Sequence, residues 1–258
     1  MSQPIAVAPT NPRPGSVHPI DVKIRYTKSA DTTGWLRVKL EPSGDSGYLC
    51  EFVKVAISDE GERTHFLILE GTNKGLKASL SKANAAKCLI AATRGNGAKL
   101  VAKQIGRKWL MSIPHGGDSH NQLMATLSFD GKTATISLDS DVDYPETNVA
   151  SPDYKKMKHS KPLPKGTYRI LAPQNPKSPE STGFYATNPG GYPDLKYDTV
   201  WFPIEYAATL NSNFVHVGNI SEGCVTMYEL SMWNSLYAYL IKNRSDKEGK
   251  YVGTVTIE

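Results

Sequence analysis

The stretch Phe214-Val-His216-Val-Gly218-Asn-Ile-Ser221-Glu-Gly223-Cys224-Val-Thr-Met227 gathers a cysteine, a histidine, a serine and glycines in one short segment. A thiol becomes a useful nucleophile when a base takes its proton and a third group orients that base. The carbonyl it attacks also needs donors for the oxyanion that forms. Two short strands around a tight, hairpin-like turn would set His216 beside Cys224. The imidazole would then pair with the thiol and lower its pKa. Gly223 would leave the backbone bare next to the sulfur and tolerate unusual dihedrals, so that the Gly223 and Cys224 amides form an oxyanion hole. Ser221 is the candidate for supporting the site by hydrogen bonding. A backbone carbonyl or Ser221 could orient His216, with Glu222 as an outside candidate that reads better as a surface residue.

Elements that could position these residues follow from patterning. Strand-like runs fall at 22–26, 35–40, 48–57, 64–69, 100–105, 109–113, 123–129, 133–138, 166–171, 199–204, 214–217, 225–227 and 251–257. Asp130-Gly131 between two of them reads as a hairpin turn, because Asp-Gly tolerates positive φ. Segment 81–93 reads as a helix with Ser81 or Ser79 as N-cap. Leu230, Trp233, Leu236, Tyr237, Leu240 and Ile241 recur at helical spacing and predict a C-terminal helix. Thr226 with Glu229 fits a capping box that would start this helix soon after Cys224. Segment 139–164 is polar, proline-spotted and read as loop, as is 172–193. The sum is a mainly β protein with two helices.

The composition is that of an ordinary soluble globular chain, and the length allows one large domain or two modest ones. The net charge of +5 is mild and scattered, without the basic stripe that a nucleic-acid surface would need. No apolar run is long enough for a membrane span. Residues 1–19 carry five prolines and predict a disordered tail without the features of a secretory signal. Of the three cysteines, Cys50 and Cys88 read as small buried hydrophobes, with a disulfide between them left open.

The motif resembles the signature of L,D-transpeptidases of the YkuD class, a histidine and a spacer followed by Ser/Thr-His-Gly-Cys and an apolar residue. His216, Ser221, Gly223, Cys224 and Val225 match it in order, and Lys161-Pro-Leu-Pro164-Lys-Gly166-Thr-Tyr168-Arg-Ile170 resembles the family's upstream strand. The resemblance covers roughly residues 122 to 258. The spacer is shorter than in the housekeeping enzymes, Glu222 replaces their second histidine, and Thr226 stands where Arg or Asn is common. The shortened form, His-x4-Ser-x-Gly-Cys, is more similar to L,D-transpeptidase-like toxins delivered by type VI secretion.

The resemblance implies a β-sandwich-like catalytic domain over 119–258, with one helix after the cysteine, behind a β-rich N-terminal module over 20–118 of unassigned role. It implies that Cys224 forms a thioester with the third residue of a peptidoglycan stem peptide, with His216 as general base and later acid. Water as acceptor would make the protein an L,D-carboxypeptidase, and an amine would make it an L,D-transpeptidase or D-amino-acid exchanger. It further implies synthesis in the cytoplasm and export by a dedicated secretion system to the periplasm of a target cell. An immunity protein and a secretion-apparatus component would be partners, and no cofactor or metal is called for.

Blander readings compete at each position. Cys224 alone would read as a packing cysteine, and Ser221 as a plain turn serine. Tyr168, Tyr192, Tyr197 and Trp201 could line a groove for the stem peptide or simply pack; Tyr168, Tyr197 and Trp201 are taken as substrate-binding. His115-Gly-Gly-Asp118-Ser-His120 matches no standard zinc spacing and reads as a glycine-rich loop. The loop 71–77 departs from a phosphate loop in its lysine spacing. A housekeeping cell-wall crosslinker and a degenerate wall-binding module are the alternatives to an effector.

Overall fold

The computed structural model describes residues 23–114, 116–147, 149–206 and 213–258. The expected tail at 1–19 and His115 lie outside the described residues. The first sheet holds β1 (Ile24–Thr27), β2 (Trp35–Glu41), β3 (Ser46–Cys50), β4 (Lys54–Glu60), β5 (Arg63–Ile68) and β6 (Lys77–Ser81). Helix α1 (Lys82–Cys88) and β7 (Leu89–Ile90) complete it, in the order β3-β2-β6-β5-β4-β1-β7. Alternation drives it: along β5, Thr64, Phe66 and Ile68 are buried while the residues between them are not. The run 48–57, expected as one strand, is two, because Phe52 at φ 58 turns the chain between β3 and β4.

Ser81 caps α1 by accepting a hydrogen bond from the Asn84 amide. The helix stops at Cys88, short of the expected 93, because Leu89 and Ile90 pair instead with Thr27 and Tyr26 of β1.

A second sheet closes on itself. Its strands are β8 (Ala98–Met111), β9 (Ser119–Phe129), β10 (Lys132–Asp139), β13 (Gly166–Leu171), β14 (Phe202–Glu205), β15 (Phe214–Val217), β16 (Val225–Met227) and β17 (Tyr251–Ile257), with the hairpin β11 (Asp143–Pro145) and β12 (Met157–His159) inserted in the segment expected as loop. The order β10-β16-β15-β14-β13-β17-β8-β9 is a closed barrel, not the expected sandwich. Closure removes both sheet edges. It uses parallel pairing at two seams, β15 with β16 and β17 with β8. The expected domain boundary at 119 falls inside the long β8–β9 hairpin, so the division between the two sheets lies near 91–97 instead. Asp130 and Gly131, at φ 48 and 70, make the expected tight turn between β9 and β10.

Short helical turns at Pro179–Ser181 and Leu230–Met232 and the helices α2 (Phe184–Thr187) and α3 (Trp233–Lys242) complete the chain. The apolar face expected for the C-terminal helix is buried, with Trp233, Leu236, Tyr237, Leu240 and Ile241 all at 1% exposure or less. The expected capping box does not form. Thr226 lies in β16, and the Glu229 carboxylate instead accepts a hydrogen bond from the Thr135 amide at 3.0 Å. Among the described residues no helix is long and apolar enough to cross a membrane.

A buried polar cluster joins the first sheet to the barrel. Arg244, 1% exposed, donates from Nε and Nη2 to the Gly249 carbonyl and from Nη1 to Cys50 Sγ at 3.1 Å and the Glu51 carbonyl. Glu70, equally buried, accepts from Arg94 at 2.7 Å and from the Lys54 amide, and Tyr237 donates to Glu51. All three cysteines are free thiols, so Cys50 and Cys88 are not bridged. Removing one member of a buried ionic cluster leaves the others desolvated without compensation. Arg244→Ala is therefore expected to destabilise the fold by about 3–5 kcal/mol, read as a lowered urea midpoint.

Candidate active site

Alternation along β15 and β16 gives the candidate site its two faces. Val215, Val217, Val225 and Met227 are fully buried in the core. Phe214, His216, Cys224 and Thr226 occupy the alternate positions. The strands pair in parallel, Val215 opposite Val225 and His216 opposite Thr226, rather than as the expected hairpin. Extending the parallel register sets Cys224 beside Phe214, two pairs along from His216. Both residues line a cavity of about 1110 Å³, together with Trp201, Lys177, Tyr144 and Glu222.

The connection 218–224 must return the chain to the same end of the sheet in very few residues, and a polar network holds it. The Ser221 amide donates to Ser140 Oγ at 2.7 Å, and the Ser140 amide donates to the Ser221 carbonyl at 2.8 Å. Ser140 donates to Gln122, whose Nε2 donates to the Asn219 carbonyl. Tyr185 Oη donates to Asn219 Oδ1 and accepts from the Asn219 amide. Ser221 Oγ donates to the Cys224 carbonyl at 2.9 Å, and Asn213 Nδ2 donates to the Gly223 carbonyl at 2.8 Å. Ser221 is thus a positioning residue that fixes the loop by hydrogen bonding. Of the two groups considered for orienting His216, it is a backbone carbonyl, that of Val217, and not Ser221 that faces the ring.

Gly223 sits at φ 96, and a Cβ there would lie 2.3 Å from the Lys161 carbonyl oxygen. Among the described residues the Gly223 and Cys224 amides donate no hydrogen bond, and Cys224, though not Gly223, lines the cavity. Gly223→Ala is expected to lose about 1–3 kcal/mol of stability from backbone strain alone, with further loss from the collision. Thermal melts beside the wild type would read it.

His216 is 6% exposed and tightly oriented. Its Nδ1 faces the Val217 carbonyl at 2.8 Å, and a carbonyl can only accept, so Nδ1 carries the proton of the neutral ring. Nε2 then offers its lone pair, which Thr226 Oγ1 meets at 3.1 Å. Trp201 stacks on the imidazole at 4.0 Å and 21°. Burial lowers His216 to about 4, with Lys177 acting in the same sense against the Val217 hydrogen bond.

No hydrogen bond joins His216 to Cys224, which corrects the expected pairing. Cys224 Sγ instead accepts from the Phe214 amide at 3.4 Å. Burial pushes the thiol up to about 12; the Phe214 amide and Lys177 pull it down, and Glu222 pushes it further up. The resting pair is therefore a neutral thiol and a neutral imidazole.

Of the expected substrate-binding aromatics, only Trp201 lines the cavity. Tyr168 turns its hydroxyl to the Pro164 carbonyl and packs edge-on against Tyr206. Tyr197 stacks on Tyr237 at 3.9 Å, and its carbonyl accepts from Trp233 Nε1. Tyr192 packs against the core. Glu222 is exposed, as expected, yet also borders the cavity, and desolvation there raises its carboxyl.

Lys177, Thr226 and Tyr144 were not anticipated. Thr226 could have been found by period-two alternation from Cys224. Lys177 and Tyr144 come from distant segments without regular patterning and carry no local signal. Among the described residues no group of histidines, cysteines and carboxylates is arranged to hold a metal ion. Comparison of the chain with protein-family models, curated proteins and solved structures finds no match.

Proposed function

We propose that the protein is a cysteine-dependent acyltransferase acting on peptidoglycan stem peptides. The observation that carries this reading is the placement of Cys224, just before β16, and of an oriented, neutral His216 on β15 at alternate positions of one face, both lining one cavity. The choice of stem peptide rests on the resemblance of His216, Ser221, Gly223 and Cys224 to the L,D-transpeptidase signature.

In the first half-reaction the Cys224 proton passes to His216 Nε2 as sulfur bonds to the carbonyl carbon of the stem's third residue. The oxyanion is met by the Gly223 and Cys224 amides. Collapse breaks the C–N bond, the imidazolium gives its proton to the departing amine, and a thioester remains. Water or a second amine then attacks, His216 takes its proton, and the thiolate leaves and is reprotonated. Burial opposes the charges that form, since it holds the thiol up and the imidazole down, so the proton moves as the sulfur attacks and not before. The role as an exported antibacterial effector with an immunity protein rests on the shortened motif alone.

Incubating the protein with disaccharide-tetrapeptide, with and without D-methionine, tests the reading by mass spectrometry. Loss of terminal D-alanine identifies trimming, and its replacement by D-methionine identifies exchange. No change in either sample would reject the reaction on this substrate. The missing contact between His216 and Cys224 favours one second reading, a wall-binding module without turnover. That reading requires stem-peptide binding unaltered by Cys224→Ala.

A further inference from the structure

Among the described residues one half-buried cation of the cavity stands without an ion-pair partner. Asp143, Glu146 and Glu222 also line the cavity, but the first two pair with His159 and Lys158. Lys177 is half-buried, and its Nζ lies 5.0 Å from the Trp201 ring centroid and 4.3 Å from that of Phe214. These two rings flank the reactive pair: Trp201 stacks on His216, and the Phe214 amide donates to Cys224 Sγ. Among the described residues Lys177 makes no ion pair. The other lysines of the cavity differ. Lys158 is paired with Glu146 at 2.7 Å, and Lys161 is exposed to water. Aromatic faces attract an ammonium but do not neutralise it. A partly desolvated cation without a carboxylate is costly unless a ligand supplies one. Lys177 and Cys224 line the same cavity and Lys177 acts electrostatically on the thiol, so an anion held by Lys177 would sit close to the reacting carbonyl. Glu222, which is exposed, acts on the thiol in the opposite sense.

We propose that Lys177 is a specificity-determining residue that receives a substrate carboxylate beside the carbonyl attacked by Cys224. The inference rests on the proposed acyl transfer and narrows its substrate to peptides carrying a free carboxylate at that place. A stem tetrapeptide offers two, the α-carboxylate of the terminal residue and the side-chain carboxylate of a diaminopimelate third residue.

Three synthetic tetrapeptides separate the cases: the free acid, its C-terminal amide, and the peptide amidated on the diaminopimelate side chain. Their binding is measured calorimetrically on Cys224→Ala protein carrying lysine, methionine or arginine at 177. Methionine keeps the apolar stem over the two rings, and Lys177→Arg keeps the charge as a control for packing. A hydrogen bond to a charged group predicts that one amidation weakens binding on the order of 10- to 100-fold in the lysine and arginine proteins. It should have no further effect in Lys177→Met, and the amide that shows the loss identifies the carboxylate. Equal acid-to-amide ratios in lysine and methionine proteins, or no binding of any tetrapeptide, overturn the proposal. Turnover by the protein with Cys224 intact judges the acyl transfer separately. Turnover with unchanged ratios would keep the reaction and remove the role of Lys177.

Discussion

Cys224→Ala is expected to reduce turnover of disaccharide-tetrapeptide by on the order of 10⁴- to 10⁶-fold, by analogy with the loss of other covalent nucleophiles. No neighbour can take over: Cys50 and Cys88 are buried in the first sheet and its helix. The loss would not come from unfolding. Cys224 lines the cavity just before β16, and removing one sulfur there costs about 1 kcal/mol. The hydrogen bonds that hold 218–224 involve the Cys224 carbonyl and not its side chain, except for the Phe214 amide. A urea midpoint lowered only slightly, as a loss of about 1 kcal/mol predicts, with abolished turnover separates a chemical role from a packing role. Turnover within tenfold of the wild type would show that the cysteine is only a packing residue.

His216→Gln should lower turnover by about 10²- to 10⁴-fold, the usual share of a general base. It should also alter the acid response of the fold. An unfolded histidine titrates near 6.5, and burial holds His216 at about 4 in the native protein. Between those values the unfolded state binds the extra proton, so stability falls as pH drops from about 6.5 to 4 and levels off below. The depressed value corresponds to about 3 kcal/mol lost over that window. Urea midpoints of wild type and His216→Gln measured from pH 7 to 4 would show it, with the variant losing correspondingly less. Parallel curves would mean that the imidazole is not buried in its neutral form.

Much of the strand content was legible because period-two alternation is a local property. Segments 166–171, 214–217, 225–227 and 251–257 coincide with strands to the residue. Pairing was not legible. Closure of the barrel depends on β17 meeting β8, and the division of the chain depends on the same contact between distant segments. The tight turn read between His216 and Cys224 predicted a hairpin, whereas β16 pairs with β10 on its other side, which imposes the parallel return. The same divide runs through the site. Cys224, His216 and Gly223 declare themselves by type and spacing within one segment. Lys177 and the Ser140–Gln122 support of the loop arrive from elsewhere in the chain, and only the folded barrel brings them together. Tyr197 was misread because an aromatic near a glycine-rich stretch looks the same whether it faces a ligand or stacks on Tyr237.

The acyl-enzyme itself tests the central claim most directly. Protein mixed with disaccharide-tetrapeptide, quenched in acid within seconds and weighed intact, should carry an adduct equal to the substrate less its terminal D-alanine. Digestion should place that adduct on the peptide containing Cys224, and hydroxylamine should remove it as it does a thioester. The Cys224→Ala protein should carry none. Terminal D-alanine released by the intact protein with no adduct at any quench time, or an adduct on another residue, would contradict a Cys224 thioester.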